Sequence, residues 1–288
     1  ISLKSNTTGT NNTASGYGSL RNNNTGSNNT ASGYESLTNT TTGDNNTASG
    51  YQSLYSISTG HSNTASGYQS LYSATTDREN TAFGYQSLYA NTANSNSAFG
   101  YQSLYNNTSG NGNTATGFNS LYTNTTGYSN TATGYNSLVS NITGNYNTAF
   151  GYFSLNANTT GSSNVAFGRN SLYNNTSGSY NTAIGVLSLF DANRTADVNA
   201  YNTALGYKAG NSGSNDITTG DKNVLLGAST AASQAAASNQ IVIGYGAIGH
   251  GDNIAVIGNG SATAIHPADD NGVDLGSSSY SFKDLYVD

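Results

Sequence analysis

One nine-residue phrase, Asn-Thr-Ala-x-Gly-Tyr-x-Ser-Leu, recurs through most of this 288-residue chain and is clearest at residues 63–71. Indexed by its glycine, it recurs every 17 residues up to residue 185, with a single spacing of 16, and then at spacings of 21, 21, 17 and 14. Self-similarity at a fixed period marks a repeat architecture in which each unit packs on its neighbours. The fifteen glycines are Gly16, Gly33, Gly50, Gly67, Gly84, Gly100, Gly117, Gly134, Gly151, Gly168, Gly185, Gly206, Gly227, Gly244 and Gly258.

The phrase has the pattern of a short strand followed by a turn. It contains Thr and Tyr, is bounded by Asn, Ser and Gly, and is too short for a helical hairpin. Antiparallel hairpins would need two dissimilar strands in each unit, whereas one strand phrase dominates here. We therefore predict an all-β fold, a parallel β-roll or β-helix solenoid of about 15 coils. At about 4.8 Å per coil it forms a rod roughly 70 Å long.

Columns of equivalent residues predict which side chains face inward. The third position of the phrase is Ala in most copies, which indicates close backbone approach, and the glycine two residues later indicates a bend or a positive φ. The position between them changes from Ser through Phe to Ile and Leu, and we expect it to be buried together with the Thr column. Phe83, Phe99, Phe150 and Phe167 are therefore predicted to be buried, and the Asn/Thr-Gly connectors exposed. The opening Asn is predicted to form an amide ladder.

Composition points to association of several chains. Only 34% of the residues are hydrophobic and 8% charged, against about 45–50% and 25% in ordinary globular domains. A single coil cannot bury much apolar surface, so we predict a homotrimer, intertwined or side by side.

The formal charge of −6 and the lack of a basic stripe argue against nucleic-acid binding. The chain contains no cysteine, and no apolar run approaches the about 18 residues that would insert into a membrane.

The period divides the chain into three parts. Residues 1–190 form the regular 17-residue array, and residues 1–11 look like the connector of a preceding coil. Residues 191–265 are predicted to be irregular, aliphatic β-roll repeats. Residues 266–288 break the period and are predicted to be a C-terminal cap or junction, so we expect a longer parent chain.

Two stretches resemble known families. Residues 241–244 and 254–258, Ile-Val-Ile-Gly and Ile-Ala-Val-Ile-Gly, resemble the head repeats of trimeric autotransporter adhesins, which are left-handed parallel β-rolls of three chains. Residues 274–286, Asp-Leu-Gly-Ser-Ser-Ser-Tyr-Ser-Phe-Lys-Asp-Leu-Tyr, are similar to the segment that precedes the endosialidase-type intramolecular chaperone of phage tail fibres and some bacterial surface fibres. The resemblance implies a homotrimer, a transient C-terminal chaperone that trimerises the fibre and then cuts itself off, and an extracellular or virion location.

The sequence offers few groups for chemistry. Only four acidic residues lie within residues 1–190, and Asp77-Arg78-Glu79 is interpreted as a solvated loop. His61, His250 and His266 are isolated, and Asp269-Asp270-Asn271-Gly272 lacks the remaining ligands of a calcium loop. We therefore predict no catalytic, cofactor-binding or metal-binding residue, and not an enzyme.

Tyrosine is the remaining candidate for ligand binding, because its flat ring can stack on a sugar. The tyrosine that follows the repeat glycine is expected to pack in a ladder. The tyrosine that follows Leu is the better surface candidate. An array of Thr hydroxyls that orders water is a further alternative, disfavoured if the Thr column is buried. The predicted ligand-binding residues are Tyr55, Tyr72, Tyr89, Tyr105 and Tyr122.

These observations predict a structural and adhesive trimeric fibre segment. It would present or form a receptor-binding surface on a phage tail or a bacterial exterior, with a cell-surface glycan or another surface receptor as partner. The first alternative is a glycan-binding module that uses tyrosine ladders. The second is a polysaccharide-degrading β-helix, which the scarcity of paired carboxylates disfavours.

Overall fold

A computed structural model describes residues 1–193, 199–213 and 215–261, and the predicted cap at 266–288, with His266 and the Asp269–Gly272 loop, lies outside the described residues. Fifteen three-residue strands pair in chain order into one parallel sheet. The prediction of an all-β parallel solenoid is therefore confirmed. The strands are β1 Thr13–Ser15, β2 Thr30–Ser32, β3 Thr47–Ser49, β4 Thr64–Ser66, β5 Thr81–Phe83, β6 Ser97–Phe99, β7 Thr114–Thr116, β8 Thr131–Thr133, β9 Thr148–Phe150, β10 Val165–Phe167, β11 Thr182–Ile184, β12 Thr203–Leu205, β13 Val224–Leu226, β14 Ile241–Ile243 and β15 Ala255–Ile257.

Every coil sits in register on the next. Ala65 of β4 pairs with Ala82 of β5, and the same repeat position pairs along the whole sheet. Backbone bonds run in both directions: the Thr64 N–H donates to the Asn80 carbonyl at 2.8 Å, and the Gly67 N–H donates to the Ser49 carbonyl at 2.8 Å. Hydrogen bonds between coils continue through the turns, for example from the Leu71 N–H to the Ser87 carbonyl at 2.9 Å. Each coil is therefore tied to both neighbours around its perimeter.

The interior is narrow and half polar. The middle residue of most strands is a fully buried Ala, joined by the Leu and the Ser that end the phrase. Leu71 adopts a positive φ of 51°, as do its counterparts in the other regular coils. This conformation costs about 1–2 kcal/mol for a residue with a Cβ. Complete burial of the Leu side chain is worth about 1.5–3 kcal/mol, so packing offsets the strain.

Buried asparagines satisfy the backbone inside the solenoid. Nδ2 of Asn63 donates to Oδ1 of Asn46 at 3.1 Å and to the Asp77 carbonyl at 2.8 Å. Its own Oδ1 accepts the backbone N–H of Asn80 at 3.0 Å. A second buried column repeats this pattern, since Nδ2 of Asn124 donates to Oδ1 of Asn107 at 2.7 Å. The predicted amide ladder is confirmed and is accompanied by a second one.

Two independent structural constraints require glycine at the repeat glycine position. Gly117 has a φ of 131°, in a region that side chains rarely adopt. A Cβ on Gly117 would lie 2.5 Å from the carbonyl oxygen of Gly134 in the next coil. The bend after each strand therefore excludes any side chain at this position.

The variable strand column faces outward, so the prediction that it is buried is wrong. Phe83, Phe99, Phe150 and Phe167 are 39–50% exposed. Strand alternation places the Thr column on this same outer face. Burial of the Thr hydroxyls is therefore no longer a reason to disfavour a Thr array that orders water. The physical reason for the outward direction of both columns is strand alternation: the middle residue of each three-residue strand points inward, so the residues on either side of it point outward. The inward residue is Ala in most coils and Leu225 or Val242 near the C-terminus.

The connectors are only partly exposed, which corrects a second expectation. Most of their Thr residues are exposed or half-buried, but the Asn that opens most connectors and the Gly that ends them are buried. Asn107, for example, is fully buried and donates from Nδ2 to the Gly110 carbonyl at 2.8 Å. The connector therefore closes the interior of the coil.

Candidate ligand-binding surface

The five predicted tyrosines form a single stacked column along the rod. Each follows the buried Leu of its coil, and the in-register backbone places the rings one above the next. Neighbouring ring centroids are 5.0–5.2 Å apart, with interplanar angles of 3–14°. The spacing follows from the distance between parallel strands. The column consists of Tyr55, Tyr72, Tyr89, Tyr105 and Tyr122.

Partial burial changes the acidity of this column. Burial raises the pKa of Tyr72, and the neighbouring phenols of Tyr55 and Tyr89 raise it further. Burial likewise raises the pKa of Tyr105, with added contributions from Tyr89 and Tyr122. The raised pKa values keep the Tyr72 and Tyr105 hydroxyls protonated at neutral pH.

A longer aromatic column follows the repeat glycines. Its rings stack at centroid distances of 4.9–5.3 Å, and each is 40–60% exposed. The expectation that these residues form a ladder is confirmed. The expectation that the tyrosine after Leu is the more exposed of the two is wrong, because that column is half-buried. The members are Tyr17, Tyr34, Tyr51, Tyr68, Tyr85, Tyr101, Phe118, Tyr135 and Tyr152.

Stacking limits what either column can bind. Tyr72, Tyr89 and Tyr105 have a ring against both faces, whereas Tyr55 and Tyr122 each stack on one ring of the column. A sugar that stacks on an aromatic ring needs an open face. The interior tyrosines instead offer their ring edges and hydroxyls, so ligand contacts there would be hydrogen bonds.

A glutamine ladder adjoins the longer aromatic column and was missed by the sequence reasoning. Nε2 of Gln69 donates to the side-chain oxygen of Gln52 at 3.0 Å, and Gln86 donates to Gln69 at 3.1 Å. Gln102 continues the row, and Gln52 begins it with a 2.9 Å bond to a carboxylate oxygen of Glu35. The sequence could have predicted this ladder, because four successive copies of the repeat have Gln directly after the Tyr that follows the glycine.

The Asp77–Glu79 segment matches the predicted solvated loop only in part, because Arg78 and Glu79 are exposed whereas Asp77 is buried. Asp77 is buried at the position that Gly60 holds in the preceding coil, and its Oδ2 accepts the Thr75 N–H at 2.9 Å. Burial raises the pKa of Asp77, and backbone N–H groups only partly oppose this shift. Glu79 accepts a 3.0 Å bond from the Ser95 hydroxyl. Asp77 therefore bonds within its own turn, and Glu79 bonds to the next coil.

Other chemical groups are scattered. Within the described ranges, no three His, Asp or Glu side chains come together as metal ligands, and His61 lies beside Ser62 with Nδ1 3.4 Å from Oγ. No helix in this part of the chain is long and apolar enough to cross a membrane.

Comparison with known proteins adds no relative: no family model matches the chain, and no curated protein matches its sequence. The class therefore follows from the fold. The chain is a parallel β-solenoid repeat protein whose surface carries two stacked aromatic columns.

Proposed function

We propose that this chain is a structural and adhesive segment of a homotrimeric extracellular fibre, carried on a phage tail or a bacterial exterior. The observation that supports it most is the single uninterrupted parallel sheet of fifteen coils. At about 4.8 Å per coil the sheet forms a stiff rod roughly 70 Å long. Such a rod suits a shaft that holds a binding surface away from the particle.

The interior chemistry fits a shaft that must survive outside a cell. One column of buried amides bonds successive coils, a second does so from Asn91 to Asn175, and every strand position pairs with its copy. A solenoid of this kind depends only on contacts between neighbours, so it can be extended by adding coils. The array contains no cysteine that oxidation could damage.

The trimer that we propose does not need three chains to close a shared interior. One chain already closes its own interior, since the Ala, Leu, Ser and Asn columns are buried without a partner. Each coil also pairs with the next coil of the same chain. Association of three closed rods side by side is therefore the proposed form. It is supported by the similarity of residues 274–286 to fibre junctions and by the apolar side chains on the outer strand face.

Assembly and shape provide the first test. We expect light scattering to give about three times the 29.5 kDa chain mass and negative-stain microscopy to show straight rods. A folded species of single-chain mass would contradict the trimer. Binding of labelled protein to a panel of intact bacteria tests adhesion, with heat-unfolded protein as control. No binding to any cell type would reduce the proposal to a shaft without adhesive function.

A glycan-binding module is the second candidate, supported by the row of tyrosine hydroxyls on the half-buried column. A glycan array compares the parent chain with Tyr72→Ala and Tyr105→Ala, which break the column. Tyr72→Phe and Tyr105→Phe keep the stacked rings but remove the hydroxyls. Binding lost in all four variants indicates recognition by the hydroxyl row. Unchanged binding in the two Ala variants rules this column out as the glycan site.

A further inference from the structure

The outer strand face changes from polar to apolar along the rod. In β1–β4 its eight outward residues are all Thr or Ser. In β9–β15 eleven of the fourteen outward residues are apolar, and the other three are Thr. The eleven, which we name the apolar strand face, are Phe150, Val165, Phe167, Ile184, Leu205, Val224, Leu226, Ile241, Ile243, Ala255 and Ile257.

This face is substantially open to solvent in the single chain. Phe167 is 50% exposed, Leu205 49% and Ile257 58%. Seven of the eleven members are 36–58% exposed, and Val224, Leu226 and Ile243 are half-buried. A half-exposed aromatic side chain offers about 75–125 Å² and an aliphatic one less, so the face offers on the order of 600 Å². Monomeric proteins rarely expose contiguous apolar patches above a few hundred Å². The area approaches the about 800 Å² that each partner contributes to a standard interface.

The geometry of the face indicates its partner. Its side chains repeat with the coil spacing along a straight column, and Phe150 stacks on Phe167 with centroids 4.7 Å apart. A matching surface must carry apolar groups with the same repeat over seven coils, which a second copy in parallel alignment does. All fourteen outward positions of these strands are uncharged, so copies can approach without repulsion.

We infer that the apolar strand face is the surface through which three parallel copies of this chain pack side by side. This inference rests on the proposed trimeric fibre and assigns its contact surface. Three copies bring the same residue of each chain together around one axis, as cyclic symmetry requires. The Thr and Ser of β1–β4 continue the same face, so close contact is concentrated in the C-terminal half of the rod.

Single cysteines in this cysteine-free chain test the contact directly. Phe167→Cys and Ile257→Cys are made separately, because β10 and β15 are about 24 Å apart along the rod at the strand spacing. Parallel packing predicts that a mild oxidant cross-links each variant to itself. The control is Ile142→Cys, on an exposed connector residue away from the strand face. Failure of both variants to cross-link, or equal cross-linking of the control, would overturn the inference.

Serine replacements test whether the face drives assembly. Phe167→Ser and Leu205→Ser, combined in one chain, place at these positions the residue that Ser32 and Ser49 already hold in the same column. We expect light scattering at micromolar concentration to give a threefold lower mass than the parent, with an unchanged circular dichroism spectrum. The matched control Ile142→Thr, which copies Thr125 and Thr159 of the adjacent coils, should keep the parent mass.

The outcomes separate this inference from the proposed function. A parent that is trimeric while the double variant also remains trimeric would overturn the assigned surface and leave the trimer intact. A parent of single-chain mass would overturn both. A parent of twice the chain mass would overturn the three-fold arrangement and indicate a dimer. Cross-linking of the two cysteine variants would then show whether that dimer uses the apolar strand face.

Discussion

The N-terminal coils β1–β4 and the C-terminal coils β9–β15 share one backbone and differ in the surface they present. Gly33 and Gly206 have φ angles of 134° and 137°, and Ala31 and Ala204 are both fully buried. The outward strand positions, in contrast, are entirely Thr and Ser in the first region and mostly apolar in the second.

The inward and outward sides of each strand are therefore under different structural constraints. The inward side must pack inside the coil, so its residue is Ala from β1 to β12 and stays apolar, as Leu225, Val242 and Val256, in β13–β15. The outward side meets water or a partner, so any residue with good strand propensity serves there. In this solenoid the column that stays apolar throughout marks the inside, and the column that varies in polarity marks the surface.

The largest effect is expected from the repeat glycines, and it should be equal in the two regions. Gly33→Ala and Gly206→Ala each force a Cβ against the carbonyl of the next coil at a φ that side chains avoid. We expect each to destabilise its region by about 3–5 kcal/mol, from strain and overlap combined. Thermal unfolding followed by circular dichroism and calorimetry measures the loss.

The control is Gly112→Ala, where φ is 65° and the nearest atom to a Cβ would be the Ser129 Oγ at 3.7 Å. It should lose only about 1–2 kcal/mol, the penalty for a left-handed residue. A large loss at one repeat glycine and a small loss at the other would break the comparison, because the two regions would no longer share a backbone.

Removing one rung of the amide ladder should have the next largest effect. Nδ2 of Asn46 donates to the Gly60 carbonyl at 2.9 Å, and Nδ2 of Asn223 donates to the Ala237 carbonyl at 2.8 Å. Asn46→Ala and Asn223→Ala leave these carbonyls unpaired and open a cavity, which costs about 2–4 kcal/mol. Hydrogen exchange should show equal loss of protection around both sites. Asn106→Ala, on a half-buried connector residue, is the control and should change little.

Asp77 should make the stability of the N-terminal region depend on pH. Its pKa is raised in the folded state, so the folded chain holds a proton that the unfolded chain has already released. Stability is therefore greatest below the ordinary carboxyl pKa and falls as pH rises through the raised value. Asp77→Asn should abolish this fall and stabilise the region at neutral pH.

Hydrogen exchange of the coils around β4, measured from pH 3 to 8, checks the titration of Asp77. Glu79→Gln, at an exposed carboxyl two residues away, is the control and should keep the pH dependence of the parent. Persistence of the full pH dependence in Asp77→Asn would show that another group is responsible.

The smallest effect on stability is expected from changing the outer face alone. Ser32→Phe with Ser49→Phe gives β2 and β3 the stacked pair found at Phe150 and Phe167. Because these positions face outward, the unfolding free energy should change by less than about 0.5 kcal/mol. Self-association measured by sedimentation should increase. A large loss of stability would show that the column is not on the surface of the N-terminal coils.

Much of the fold could be predicted because the same sequence pattern occurs in fifteen copies. The period implied stacked coils, the Ala column implied close approach, and the Asn column implied an amide ladder, all of which the structure shows. The facing of Phe83 and Phe150 could not be predicted from hydrophobicity, because an exposed apolar column and a buried one look alike in sequence. The candidate tyrosine column was found, but the closure of its ring faces by stacking needs the coil spacing to be seen.

By itself, the sequence determined the register, because identical phrases pair best with their own copies and one spacing sets every rung. It also determined where glycine bends the chain and where leucine and the opening asparagine of each phrase pack, whereas the burial of the connector asparagines is visible only in the structure. The tertiary structure alone decided which side of a three-residue strand faces the interior. The turn geometry and the width of the coil set that side, and neither is encoded in the polarity of the outward residues.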